Sequence, residues 1–154
     1  MKERDGLAAD TPPLNLIKLA VGIESSEHFA EVQKRRLSSA WAGGDGKLCH
    51  ITRNTPRRSA ELLSGGSIFW VIKGRIRVRQ RLIDIETDSD REGRRQCRLV
   101  LDPRLVVVAA WRCRAFQGWR YLLPENTPPD SEIYPADAAL PGALAEELRE
   151  LGLL

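Results

Sequence analysis

One stretch narrows the possible folds more than any other: residues 68–82, I-F-W-V-I-K-G-R-I-R-V-R-Q-R-L. Even-numbered positions carry Ile68, Trp70, Ile72, Ile76, Val78 and Leu82, while odd-numbered positions carry Lys73, Arg75, Arg77, Arg79 and Arg81. A period of two is that of a β-strand, with the apolar set facing a core and the cations lined along the opposite face. Like charges in a row repel, so they need solvent, neighbouring carboxylates or an anionic partner. Residues 68–86 would span about 60 Å if straight, too long for a small domain. Gly74 marks the expected kink. The shift of apolar parity from Leu82 to Ile83 and Ile85 predicts a β-bulge.

The flanking sequence supplies the remaining elements. Residues 1–13 are polar, end in Thr11-Pro12-Pro13 and read as a disordered lead-in. Residues 14–21 read as a first strand. Ser25 and Ser26 are good helix caps, and Phe29, Val32, Leu37, Ala40 and Trp41 fall near one face of a helix that stops at Gly43-Gly44. Residues 49–53 suit a short strand, and Thr55-Pro56 opens a second helix that ends at Gly65-Gly66. A polar loop over residues 87–94 joins the long strand to residues 96–101 as an antiparallel hairpin. Asp102-Pro103 breaks the pairing, residues 105–110 read as a buried strand, and residues 116–123 as a last strand. Residues 124–154 form an acidic, Pro-rich segment with a short helix at 143–151. The expected fold is α+β: a small curled mixed sheet or barrel of five to six strands with two or three flanking helices, its single domain over residues 14–123. Register predicts Ile76, Val78, Leu82, Leu99, Leu101, Val106 and Val108 buried, and Arg75, Arg77 and Arg81 exposed.

Charge is distributed unevenly. Residues 53–120 hold 16 Lys/Arg against 7 Asp/Glu, and residues 121–154 hold 1 against 7. A basic body with an acidic counterweight points to an anionic partner or to an internal electrostatic clasp. Of the 24 cations, 19 are Arg, which favours planar bidentate contacts with phosphate or carboxylate, although a GC-rich genome also writes Arg for Lys. No apolar run approaches the ~20 residues of a membrane helix, and M-K-E-R-D-G is no signal peptide, so no membrane partner and a cytoplasmic location are expected. Cys49, Cys97 and Cys113 are too widely spaced for a disulfide framework.

Catalytic and metal signatures are missing. The ligand types His28, Cys49, His50, Cys97 and Cys113 show no metal spacing. Ser67 lacks the second glycine of a nucleophile elbow, and Gly43-Gly44-Asp45-Gly46-Lys47 lacks the spacing of a phosphate loop. His50 with Asp84 or Asp102 would make an acid–base pair only if the fold joined them. What remains is binding chemistry. Lys73, Arg75, Arg77, Arg79 and Arg81 would stand at ~6.6 Å intervals over ~27 Å, near the phosphate spacing of an extended single strand. The same row can instead pair with Asp84, Glu86, Asp88 and Asp90 or lie beneath the acidic tail. Gln80 sits among apolar neighbours and must either read a ligand or hydrogen-bond a neighbouring turn. Alternation over residues 116–122 puts Gln117, Trp119 and Tyr121 on one face and Phe116, Arg120 and Leu122 on the other. Such aromatics suit base stacking, or simply core.

Several segments together resemble a family of small proteobacterial proteins classed as a domain of unknown function: L-N-L-I-K-L, H-I-T-R, W-V-I-K-G, R-Q-R-L, L-V-L-D-P and F-Q-G-W-R-Y-L. The resemblance covers residues 14–128 and implies no activity, cofactor or site residue. A weaker, fold-level similarity to PUA-like barrels implies a curled sheet of the kind that often binds RNA or modified nucleobases. The leading expectation is therefore a non-enzymatic module that binds RNA or single-stranded nucleic acid through its basic sheet face. The alternatives are a small enzyme or binding protein for a phosphorylated or carboxylated metabolite, held by Arg79, Gln80, Gln117 and Arg120, and a protein–protein adaptor.

Overall fold

The alternating segment is β structure throughout but folds back on itself. The computed structural model describes residues 12–43 and 46–134, with side chains except at residues 39–43 and 132–134. In it β3 (Ser67–Ile72) and β4 (Arg75–Ser89) form an antiparallel hairpin. The expected kink is a full reversal: Lys73 and Gly74 have φ 52° and 78°, the positive pair that a two-residue hairpin turn requires. The preceding elements are β1 (Asn15–Leu19), α1 (Ser26–Gly43), β2 (Leu48–Thr52) and α2 (Ser59–Leu62), and the later ones β5 (Arg95–Leu101), β6 (Leu105–Arg112), β7 (Trp119–Leu122) and β8 (Asp130–Tyr134).

All eight strands join one sheet. β7 pairs β1, β1 runs parallel to β3, and β3 pairs β4. β5 lies along the second half of β4 and β6 along the first, both antiparallel to it. β2 then adds to β5, and β8 to β6. The sheet is mixed and curled, as expected, but β2 and β7 at its ends do not pair, so it is not closed into a barrel. Eight strands replace the expected five to six for two reasons. The long strand divides at its turn, and Asp130–Tyr134 of the acidic segment is recruited as β8. The second helix is a single turn. The lead-in to residue 11, the helix expected at 143–151 and the rest of the acidic tail lie outside the described residues.

Two of the sheet's register shifts, at bulges in β4, set which of its side chains face where. Trp70 pairs Val78 but Val71 pairs Ile76, leaving Arg77 as the extra residue. Leu82 pairs Leu101 and Asp84 pairs Val100, leaving Ile83 as the extra residue at the parity shift seen in the sequence. The inner face carries Leu16, Ile68, Trp70, Ile72, Val78, Leu82, Leu99 and Leu101 into the main core. α1 covers this face with Phe29 and Ala30, and the Phe29 ring meets Trp70 at 5.2 Å. That helix starts where its capping chemistry dictates: Ser25 Oγ accepts the His28 amide at 3.0 Å, and His28 Nδ1 accepts the Glu24 amide at 3.0 Å. The outer face holds a smaller cluster of Ile17, Phe69, Val71, Ile76 and Val108. Of the seven apolar residues expected in the core, six are buried and Val106 is half-buried, because it stands opposite Arg79 on the outer face. Arg75 and Arg81 are exposed; Arg77 is half-buried at its bulge.

Candidate functional site

The bulge at Arg77 dismantles the expected cation row. Directly paired residues share a face. Arg75 is paired with Ile72 of the main core, whereas Arg79 is paired with Phe69 of the outer cluster, so the two arginines point to opposite sides. A one-residue insertion reverses every later side chain, which is why unbroken alternation in the sequence did not make one face in the fold. Lys73 and Arg79 are engaged by acids. Lys73 Nζ lies 2.8 Å from Glu24 and lowers that carboxyl's pKa. Arg79 grips Asp130 through two 2.8 Å bonds and reaches Ser67 Oγ at 2.9 Å. The guanidinium holds the Asp130 carboxyl below its ordinary range and ties the start of β8 to β4. Arg77 Nε donates to Ile72 O at 3.4 Å.

Gln80 is a structural amide. It is fully buried, its Oε1 accepts Trp70 Nε1 at 2.9 Å, and its Nε2 donates to Gln33 Oε1 and to Asp102 O at 3.0 and 3.1 Å. Trp119 and Tyr121 share a face, as alternation requires, and pack on the main core with ring centroids 5.1 Å apart. Both polar handles are used: Trp119 Nε1 donates to Asn54 O at 2.9 Å, and Tyr121 Oη accepts the Arg58 amide at 3.1 Å. Arg120 lies on the other face with its guanidinium over Phe116, and Gln117 is exposed in the bend before β7. Arg79, Gln80, Gln117 and Arg120 therefore line no common concavity: Arg79 and Arg120 are on different strands of the outer face, and Gln80 is in the core. Among the described residues His50 finds no carboxylate; Asp84 and Asp102 accept the amides of Ile85 and Arg104.

What the fold does bring together is a group that sequence reading missed. At the open end of the β4–β6 ladder Arg75 stands directly opposite Arg112, and Arg114 follows two residues on. All three are exposed, and none has an acidic partner among the described residues. Cys113 between them continues the ladder, its amide donating to Gly74 O at 2.9 Å. Gly74, Arg112, Cys113 and Arg114 line a cavity of about 480 Å³. Burial raises the Cys113 thiol pKa against the opposing charge of Arg120, which keeps it a thiol rather than a thiolate nucleophile. The one sequence signal was W-R-C-R, whose arginines alternate past the end of a strand. The register that sets Arg112 against Arg75 was not readable.

A second hollow of about 330 Å³ lies beside Arg79 and Asp130, walled by Pro12, Pro13 and Pro128 among others. Among the described residues no three His, Cys, Asp or Glu side chains stand close enough to hold a metal ion, and no helix is long and apolar enough to cross a membrane. No curated protein and no solved structure matches the chain. A family model does, over residues 16–154, and the chain belongs to that family, described as "Protein of unknown function (DUF1489)".

Proposed function

We propose that the protein is a non-enzymatic, cytoplasmic module that binds single-stranded nucleic acid, RNA in particular, at the open end of the β4–β6 ladder. The observation that carries this reading is the cross-strand pair Arg75–Arg112, with Arg114 beyond it and no carboxylate partner among the described residues. Like charges directly opposite one another destabilise a sheet. Their repulsion is relieved when an anion lies between them. Paired residues are ~5 Å apart, and residues i and i+2 nearly 7 Å apart, so the three guanidinium groups can each meet a phosphate of an extended strand. The three cysteines are free, which suits a reducing compartment. A compact phosphorylated metabolite is the second reading, favoured by the cavity between Gly74, Arg112, Cys113 and Arg114.

Salt dependence separates them. Three phosphate contacts to a single strand predict a log–log slope of roughly −2 for the binding constant. Fluorescence anisotropy of a labelled 12-mer RNA across a salt series should give that slope. Changing Arg75, Arg112 and Arg114 together to Gln should flatten it with little loss of stability, since exposed, mutually repelling arginines stabilise little. No binding at low salt, or an unchanged slope in the triple variant, would overturn the reading.

A further inference from the structure

Trp111 precedes Arg112 in β6 and stands on the opposite face. It is paired with Ile76 of the outer cluster, whereas Arg112 is paired with Arg75, which faces the main-core side with Ile72. Neighbouring residues of a strand are ~3.8 Å apart at their Cα atoms and project to opposite sides, so indole and guanidinium straddle one edge. The Trp111 side chain is 43% exposed. The other indoles with described side chains are used internally. Trp70 is buried with its Nε1 on Gln80, and Trp119 packs on the main core with its Nε1 on Asn54 O. Trp111 Nε1 has no partner among the described residues. Of the other rings on the outer face, Phe69 is buried and Phe116 has the Arg120 guanidinium 4.6 Å above it.

Strand pairing leaves this edge open. β8 follows β6 only as far as Val108, and the Ala109 amide closes that contact on Pro129 O at 2.9 Å. Past this bond, Trp111 and Arg112 have β4 on one side and no strand on the other among the described residues. A register shift sets the direction of the indole. Val107 is paired with Val78 and belongs to the main core, and strict alternation would turn Trp111, four places on, the same way. The shift between the two pairs turns it outward instead.

A large ring left in water at an open edge, one residue from cations without a carboxylate partner, has the make-up of a single-strand site. Such sites join a cationic track for phosphates to aromatic rings on which bases stack. We propose that Trp111 is the base-stacking residue of this protein: a single RNA strand along the open edge of β6 sets its phosphates on Arg75, Arg112 and Arg114 and turns an unpaired base onto the indole. The inference rests on the reading of the arginine cluster as a phosphate site and supplies what that cluster lacks, a means of selecting single strands. Guanidinium groups take the phosphates of single and paired strands alike, whereas a base inside a duplex has both faces covered by its neighbours.

The test uses the full chain and three labelled RNA 12-mers: a mixed-sequence strand, its abasic counterpart with the same phosphates, and the strand annealed to its complement. Trp111→Ala should weaken binding of the single strand about tenfold and leave the abasic strand and the duplex unchanged. Its log–log salt slope should equal that of the wild type, because stacking displaces no counterions. Trp111→Phe should recover most of the loss. In the wild type, a strand carrying 5-iodouridine should crosslink to the tryptic peptide 105–112, whose only aromatic residue is Trp111, a result that does not depend on the folding of any variant. The proposal is overturned by a crosslink elsewhere, by equal loss on all three ligands, or by a Trp111→Ala chain that keeps its RNA affinity and instead loses a dimer in sedimentation. A flattened slope in the triple arginine variant together with full single-strand affinity in Trp111→Ala would remove the stacking role and leave the phosphate site standing. No binding of any strand at low salt would remove both.

Discussion

His50 titrates near 4 in the folded chain, against about 6.5 when unfolded, because burial and two neighbouring cations disfavour its charged form. The sign follows from linkage. As pH falls through 6.5 the unfolded chain takes up a proton that the folded chain refuses until about pH 4, so stability is lost across that window. The loss should approach roughly 3 kcal/mol, since each pH unit contributes about 1.4. Urea unfolding from pH 8 to pH 4 would measure it, with His50→Gln as the comparison; the difference between the two curves should be flat above pH 7 and close below it. Equal slopes in both would mean that the native ring accepts a proton freely. Gln80 shows how much of a residue's role the sequence carries. An amide amid an apolar alternation had to find partners, and a bond to a neighbouring turn was legible. That Trp70 and Gln33 complete its set was not, because Gln33 is 47 positions away on α1.

Elements depend on a few backbone positions. Gly66 joins α2 to β3: its amide donates to Leu62 O at 2.8 Å and its carbonyl accepts the Leu82 amide at 2.9 Å. A Cβ there would stand 2.2 Å from Leu14 O and 2.5 Å from Leu62 O, both of them main-chain atoms. Gly66→Ala should therefore cost about 3 kcal/mol or more, read as a lower urea midpoint with an unchanged m value. A loss under about 1 kcal/mol would mean that α2 can shift aside. The sequence marked Gly65-Gly66 as a helix stop but not which glycine was sterically obligatory. The bulge after Leu82 was legible because the apolar parity changes there, whereas that at Arg77 was hidden. An arginine follows Ile76 with or without the extra residue, so charge alternation continued across a break in facing.

For the whole molecule, the separation of charge has two consequences. Part of the acidic segment is built into the sheet: β8 pairs β6, and Asp130 is held by Arg79. Removing residues 125–154 would therefore take away a strand as well as charge. A cut after Tyr134 spares β8 and removes Asp137, Glu146, Glu147, Glu150 and Arg149. If these carboxylates compete with a polyanion for the exposed arginines, the shortened chain should bind single-stranded RNA several-fold more tightly at 50 mM salt. The gain should fade as the Debye length contracts toward about 3 Å at 1 M. Equal affinity of the two chains at low salt would exclude such competition.

The sequence by itself determined most of the strands though not β8, the antiparallel hairpin of β4 and β5, the bulge at Ile83 and six of the seven residues expected in the core, because side-chain period and turn chemistry are properties of adjacent residues. The tertiary structure decided the rest. Whether residues 68–86 bend or reverse, which side each arginine takes, and which groups meet across 37 positions, as Arg75 and Arg112 do, depend on register between distant strands. A register is fixed by the sum of many pairings, and a single inserted residue turns one charged face into two.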